Sequence, residues 1–228
     1  MASLAEIFDK GTGNRCDKWR HYLEIYERYL EKFRGKPCTY LEIGIQNGGS
    51  LEVMREYLGD QARIVGADID PNCAQMRDKG FEVYIGDQAD VGFISNMSND
   101  IGTYDIIIDD GGHVADQEIF SFLWLWPRLN NGGIYIVEDL HTNFWEARFQ
   151  YSRIGINFYD FAKGLIEKMS LWHLDPRLHS RYRQPYADRE GRVDIANFAA
   201  NSIFGIHFYD SVVVIEKRQM GEPLAENK

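Results

Sequence analysis

The chain has 228 residues, with 25 Lys plus Arg against 35 Asp plus Glu and a formal net charge of −10. It is 44% hydrophobic and 26% charged, which excludes collagen, coiled coil and disordered tail. So acidic a chain has no broad electrostatic grip on nucleic-acid backbones or anionic lipid, and neither partner is expected.

Cys16, Cys38 and Cys73 are too few and too scattered for a disulfide framework or a Cys-rich zinc site, and fit free thiols in a reducing compartment. The opening run MASLAEIFDKGTGN has no basic region followed by an apolar one, so no signal peptide is visible. No stretch of about 20 apolar residues exists to span a bilayer. A single cytoplasmic domain is expected.

Residues 18–34 predict an amphipathic helix, with Trp19, Tyr22, Leu23, Tyr26, Leu30 and Phe33 on one face and Pro37 beyond its end. Five apolar runs follow, at 38–45, 62–70, 81–87, 104–110 and 133–139, each of the first four leading into a helical stretch. Short connections and runs such as Ile106-Ile107-Ile108 predict a doubly wound, mostly parallel α/β sheet with strands buried on both faces. After Asp139 the rhythm breaks into an aromatic-rich segment with one predicted helix near 157–171. The runs at 202–217 have almost nothing between them and predict an antiparallel hairpin, completing a seven-stranded sheet.

Chemistry gathers where strands end. Glu42, Gly44, Gly48 and Ser50 mark a tight strand-to-helix turn. The glycine spacing is not that of a pyrophosphate fingerprint, and Glu42 would repel a pyrophosphate but suit a cationic group such as an amino-acid ammonium. The other reading is a plain turn capped by Ser50. Asp68, ending the second strand, is placed to accept from a ribose diol. Asp87 and Gln88, ending the third, are candidates to read an adenine edge, with a helix cap at Asp87 as the alternative.

Asp109-Asp110-Gly111-Gly112-His113 and Glu138-Asp139 end the fourth and fifth strands, which a parallel sheet sets side by side. Carboxylates crowded there repel one another, and a hard divalent cation such as Mg²⁺ resolves the repulsion. His113 stands where a general base near neutral pH is useful. His141 and Trp145 flank this group and are substrate candidates. Phe149, Tyr151, Phe158, Tyr159 and Trp172 fit either a pocket lining or a small satellite core.

LEIGIQNGGS (41–50), IIIDDGGH (106–113), IYIVEDL (134–140) and the closing IHFYDSVVVIEK (206–217) resemble the class I S-adenosylmethionine-dependent methyltransferases. Within these they resemble the metal-dependent O-methyltransferases of macrolide sugars and rhamnosides. The resemblance implies a Rossmann-like fold and S-adenosylmethionine with Mg²⁺ as cofactors. It implies Asp110, Glu138 and Asp139 as metal ligands, His113 as base and Asp68 at the cofactor ribose. Glu42, Gly44, Gly48, Ser50, Asp87, Gln88 and Asp109, at the strand ends, are the further candidates to surround that cofactor. A histidine where the catechol-type relatives carry lysine points to a sugar hydroxyl.

The implied layout is a helical extension (1–37), a cofactor core (38–139), a substrate-side insertion (140–201) and the hairpin (202–217). The expected substrate is a small-molecule glycoside or a glycan. Alternatives are a catechol or phenol O-methyltransferase, a nucleotide-dependent oxidoreductase, or a non-catalytic binding module. The aromatic helix 18–34 suggests self-association into a homo-oligomer.

Overall fold

The computed structural model describes residues 2–145, 155–173, 195–221 and 224–225. Seven strands form one sheet: β1 (Cys38–Ile43), β2 (Ala62–Asp68), β3 (Glu82–Ile85), β4 (Tyr104–Asp109), β5 (Leu129–Val137), β6 (Ile203–Tyr209) and β7 (Val212–Lys217). The order is β3-β2-β1-β4-β5-β7-β6. β1 to β5 are parallel, while β7 runs antiparallel between β5 and β6. The strand order therefore reverses between β1 and β4, where doubly wound sheets open a crevice beyond the strand ends.

Side chains alternate across a strand, and here the alternation sorts the acids. Tyr40, Ile106, Ile108, Ile134 and Ile136 pack on one face of the sheet. Leu41, Ile107, Tyr135 and Val137 pack on the other. Glu42 pairs with Ile108, and Ile108 with Ile136. Continuing that parity places Glu42, Asp110 and Glu138 on the first face, and Asp109 on the second.

The first face is covered by α1 (Leu4–Lys10), α2 (Arg20–Leu30) and α3 (Gly49–Leu58). On the second lie α4 (Val91–Ile101), α5 (Ala115–Leu125), α6 (Phe158–Met169) and α7 (Ile195–Ser202). A 3-10 stretch, Pro71–Lys79, replaces the short helix expected after β2, with Asp70 capping it by accepting from Asn72 N–H.

Neither α1 nor α7 is expected from the hydrophobic period. Yet α1 carries a sequence signature: Ser3 and Glu6 form a reciprocal capping box. The aromatic helix is also corrected. Tyr22, Leu23, Ile25, Tyr26, Tyr29 and Leu30 of α2 are buried in the same core as Leu4, Ile7 and the sheet. Each such side chain contributes on the order of 1.5–3 kcal/mol on burial. Of the face read as a self-association surface, Tyr22, Leu23, Tyr26 and Leu30 are thus used up within the chain, while Trp19 stays exposed. No described helix is long and apolar enough to cross a membrane.

Candidate active site

A cavity of about 870 Å³ opens beyond the ends of β1 to β5, a volume suited to a cofactor-sized ligand. One half is lined by Gly44, Gln46, Asp68, Ile69, Asp87 and Phe93, the other by Lys18, Asp110, His113, Glu138 and Asp139.

In the first half, Asp68 Oδ2 accepts from Ile45 N–H at 2.8 Å and Gln46 N–H at 2.9 Å. It thereby ties the turn after β1 to the end of β2. Gly44 has φ +82°, and a Cβ there would lie 2.0 Å from the Asp110 carbonyl oxygen. The glycine lets two cavity-lining loops touch backbone to backbone.

Several expected cofactor contacts are corrected. Glu42, Gly48, Ser50 and Asp109 do not line the cavity. Gly48, not Ser50, caps α3, and Ser50 bonds to Glu42 instead. Asp87 accepts from Ala89 N–H, but Asp90 caps α4. Gln88 reaches the wall with its amide already committed. Its Nε2 donates to Asp109 Oδ1 at 3.0 Å and Ser121 Oγ at 2.9 Å, and its Oε1 accepts from Gly112 N–H at 2.9 Å. Gln88 therefore braces the Gly111-Gly112 loop rather than reading a base edge. Burial pushes the Asp109 carboxyl up to about 7, despite its hydrogen bond from Gln88.

In the second half, acids converge. Ligand atoms of Asp110, His113 and Asp139 lie within 4.8 Å of one another, as do those of Glu42, Asp110 and Glu138. His113 Nε2 is 3.8 Å from Asp110 Oδ1 and 3.7 Å from Asp139 Oδ2. Tyr22 donates to Asp139 Oδ1 at 2.7 Å, and Tyr26 donates to Glu138 Oε1. The buried Glu138 Oε2 has no hydrogen-bond partner among the described residues. An unsatisfied buried carboxylate oxygen beside further carboxylates is a hard-donor set that fits Mg²⁺.

Sequence reasoning missed Lys18, Tyr22 and Tyr26, and did not group Glu42 with the metal acids. Lys18 Nζ lies 2.8 Å from Glu138 Oε1 and 3.5 Å from Glu42 Oε1, and donates to Asp110 Oδ2. Burial opposes its charge, but Asp110, Glu138 and Glu42 outweigh burial and hold the ammonium well above its ordinary pKa. Burial, reinforced by Asp110, raises the Glu138 carboxyl. Three acids around one lysine leave surplus negative charge, so the lysine keeps its proton while an acid is poised to gain one.

The expected substrate residues His141 and Trp145 do not line the cavity but back Trp19, which does: His141 Nδ1 is 2.6 Å from Ser211 Oγ, and its ring stacks on Trp19 at 4.6 Å. Trp145 meets His141 edge-on at 5.0 Å and is half exposed. Phe158 and Trp172 are buried and structural. Tyr159 stands between Phe144 and Phe208. Phe149 and Tyr151 lie outside the described residues.

The chain is similar to known proteins over most of its length. Residues 41–140 match a family described as a methyltransferase domain. The 8-demethyl-8-(2-methoxy-alpha-L-rhamnosyl)-tetracenomycin-C 3'-O-methyltransferase of Streptomyces olivaceus is 32% identical, over 96% of this chain and 55% of its own. The mycinamicin VI 2''-O-methyltransferase of Micromonospora griseorubida is 27% identical, over 86% and 48%. The solved structure of MycE methyltransferase with Mg and SAH superposes with a TM-score of 0.74 at 24% identity, over 96% of this chain and 54% of that one. The chain thus spans about half the length of the curated relatives it matches. Residues 41–140 thus match a methyltransferase domain, and the curated relatives the chain resembles are named as O-methyltransferases.

Proposed function

We propose that this chain carries an S-adenosylmethionine- and Mg²⁺-dependent O-methyltransferase that acts on a sugar hydroxyl of a small-molecule glycoside or glycan. The observation that carries the reading is His113. Its imidazole sits between the carboxylates of Asp110 and Asp139 at the mouth of the crevice.

Asp110, Glu138 and Asp139 would hold Mg²⁺, which supplies positive charge that lowers the pKa of a neighbouring sugar hydroxyl. S-adenosylmethionine supplies an activated methyl group. The Gly44–Gln46 turn would let the cofactor approach backbone closely, and Asp68, which lines the same half of the cavity, would accept from its ribose. His113 would accept the proton of the acceptor hydroxyl. Asp139 and Asp110 then stabilise the imidazolium. Trp19, His141 and Trp145 form an aromatic rim suited to the flat, apolar faces of a glycoside. Neither nucleic acid nor a membrane surface enters this reading, given the chain's acidic balance.

The test is methyl transfer from S-adenosylmethionine to a panel of rhamnosyl polyketides, other glycosides and catechols, with Mg²⁺ and with EDTA. Methylation of glycosides, abolished by EDTA and restored by Mg²⁺, is expected. Transfer to catechols alone would overturn the sugar assignment, and activity untouched by chelation would overturn the metal. Tight S-adenosylhomocysteine binding with no turnover on any acceptor would favour a binding module.

A further inference from the structure

The metal acids form two overlapping sets that share Asp110. The outer set is Asp110, His113 and Asp139, all partly exposed to the cavity. The inner set is Glu42, Asp110 and Glu138, with Glu42 and Glu138 only 1% exposed. The inner set arises from strand parity. β1, β4 and β5 each end in an acid on the same face, under the segment that leads into α2.

That segment delivers Lys18, whose side chain is 6% exposed. Its Nζ contacts one oxygen of each inner acid. Two tyrosines brace the same acids. Tyr40 donates to Glu42 Oε2 at 2.9 Å, and Tyr26 donates to Glu138 Oε1. Among the described residues Glu138 Oε2 has no hydrogen-bond partner, and Glu42 Oε1 has none beyond its 3.5 Å ion pair with Lys18. Buried carboxylate oxygens left in this state call for a cation, and a lysine is already seated against them.

We propose that Lys18 is a tethered cation that fills an inner cation site formed by Glu42, Asp110 and Glu138. As a positioning residue, it confines the pocket to one divalent ion, for which Glu138 Oε2 and Asp110 Oδ1, the oxygens Lys18 does not contact, remain beside Asp139. The proposal rests on the metal reading above for the outer ion only. The inner site stands on the Lys18 contacts themselves. One consequence is that Glu42 belongs to the cation machinery rather than to the methionine ammonium. Another is that removing Lys18 leaves a three-carboxylate hole able to take a second divalent ion, with oxygen ligands of the type such ions prefer.

The experiment counts Mn²⁺ bound per chain after equilibrium dialysis, for the wild type, Lys18→Met and Lys18→Met/Glu42→Gln. The expected result is one more ion per chain in Lys18→Met than in the wild type. The count should return to the wild-type value in the double variant, because the inner site loses a ligand. An unchanged count in a folded Lys18→Met would overturn the proposal. If the wild type binds no ion, the outer metal reading fails, while the difference between wild type and Lys18→Met still decides the inner site.

Should Lys18→Met fail to fold, thermal unfolding of the double variant decides. Recovery of a cooperative transition on adding Glu42→Gln supports charge balance by Lys18. No recovery, with Glu42→Gln merely adding its own loss, overturns it.

Discussion

His113 and Asp139 face each other across the sheet edge, Nε2 to Oδ2 3.7 Å apart, and both are held at positive φ, +52° and +55°. Such backbone conformations in non-glycine residues cost free energy and persist where surrounding structure fixes them. Here Thr142 Oγ1 donates to the His113 carbonyl at 3.2 Å, and Tyr22 holds Asp139. The backbone carrying both side chains is thereby fixed, and both line the cavity. His113→Ala should lower turnover by about 10²–10⁴-fold, the usual share of a general base. S-adenosylhomocysteine affinity, measured by calorimetry, should not change. An equal loss of both would assign His113 to the fold instead.

Gly44→Ala is expected to be severe for a reason visible in the backbone. At φ +82°, with a Cβ 2.0 Å from the Asp110 carbonyl oxygen, an alanine must push apart the turn after β1 and the loop carrying Asp110. Stability should fall by several kcal/mol, as for other strained or overpacked buried sites. Urea unfolding measures it. Gly59 is a useful control, because it too has positive φ (+91°) but a Cβ there would meet only Gly35 backbone, at 3.8–4.0 Å. Gly59→Ala should therefore cost markedly less.

What the sequence disclosed and what it hid follow from the range of the interactions. Strands β1 to β5 and their terminal acids are legible because apolar runs and glycine turns are local signals. Parity along those strands also held the information that Glu42, Asp110 and Glu138 share a face, once a parallel register is assumed. The capping box at Ser3 and Glu6 was a local signal for α1 as well. Lys18 was not legible. It meets Glu138 across 120 residues of sequence, and nothing near it differs from a solvated lysine. The self-association surface failed for a related reason: a periodic aromatic face shows that a helix is buried, not what buries it. Gln88 failed through competition, since its amide is consumed by Asp109, Ser121 and Gly112.

The aromatic rim gives a prediction about the acceptor rather than the cofactor. Trp19 is 47% exposed at the cavity mouth yet fixed by its stack on His141. Rigid aromatic faces of this kind contribute about 1 kcal/mol to a stacked partner, roughly a fivefold change in affinity. Trp19→Ala should raise KM for a glycoside by about that factor while leaving kcat nearly unchanged, the signature of lost ground-state binding. Trp19→Phe should recover most of the loss. A drop in kcat with KM constant would place Trp19 in alignment of the reacting groups instead.

Lys217 offers a pH test that lies away from the metal acids. At the end of β7 its Nζ donates to the carbonyl oxygens of Trp126 at 2.6 Å and Pro127 at 3.3 Å. Burial pulls its pKa from 10.5 down to about 8. Between those values the unfolded chain holds a proton that the folded chain has shed. Stability must therefore rise with pH through that window, by at most about 1.4 kcal/mol per unit from this group. Below pH 8 both states are protonated and the slope vanishes. Lys217→Met removes the titration but also the two hydrogen bonds, so a constant loss is expected at every pH. The decisive quantity is the wild-type minus variant difference in unfolding free energy from urea titrations. It should be flat below pH 8 and climb above it, whereas a flat difference throughout would show that Lys217 stays charged in the fold.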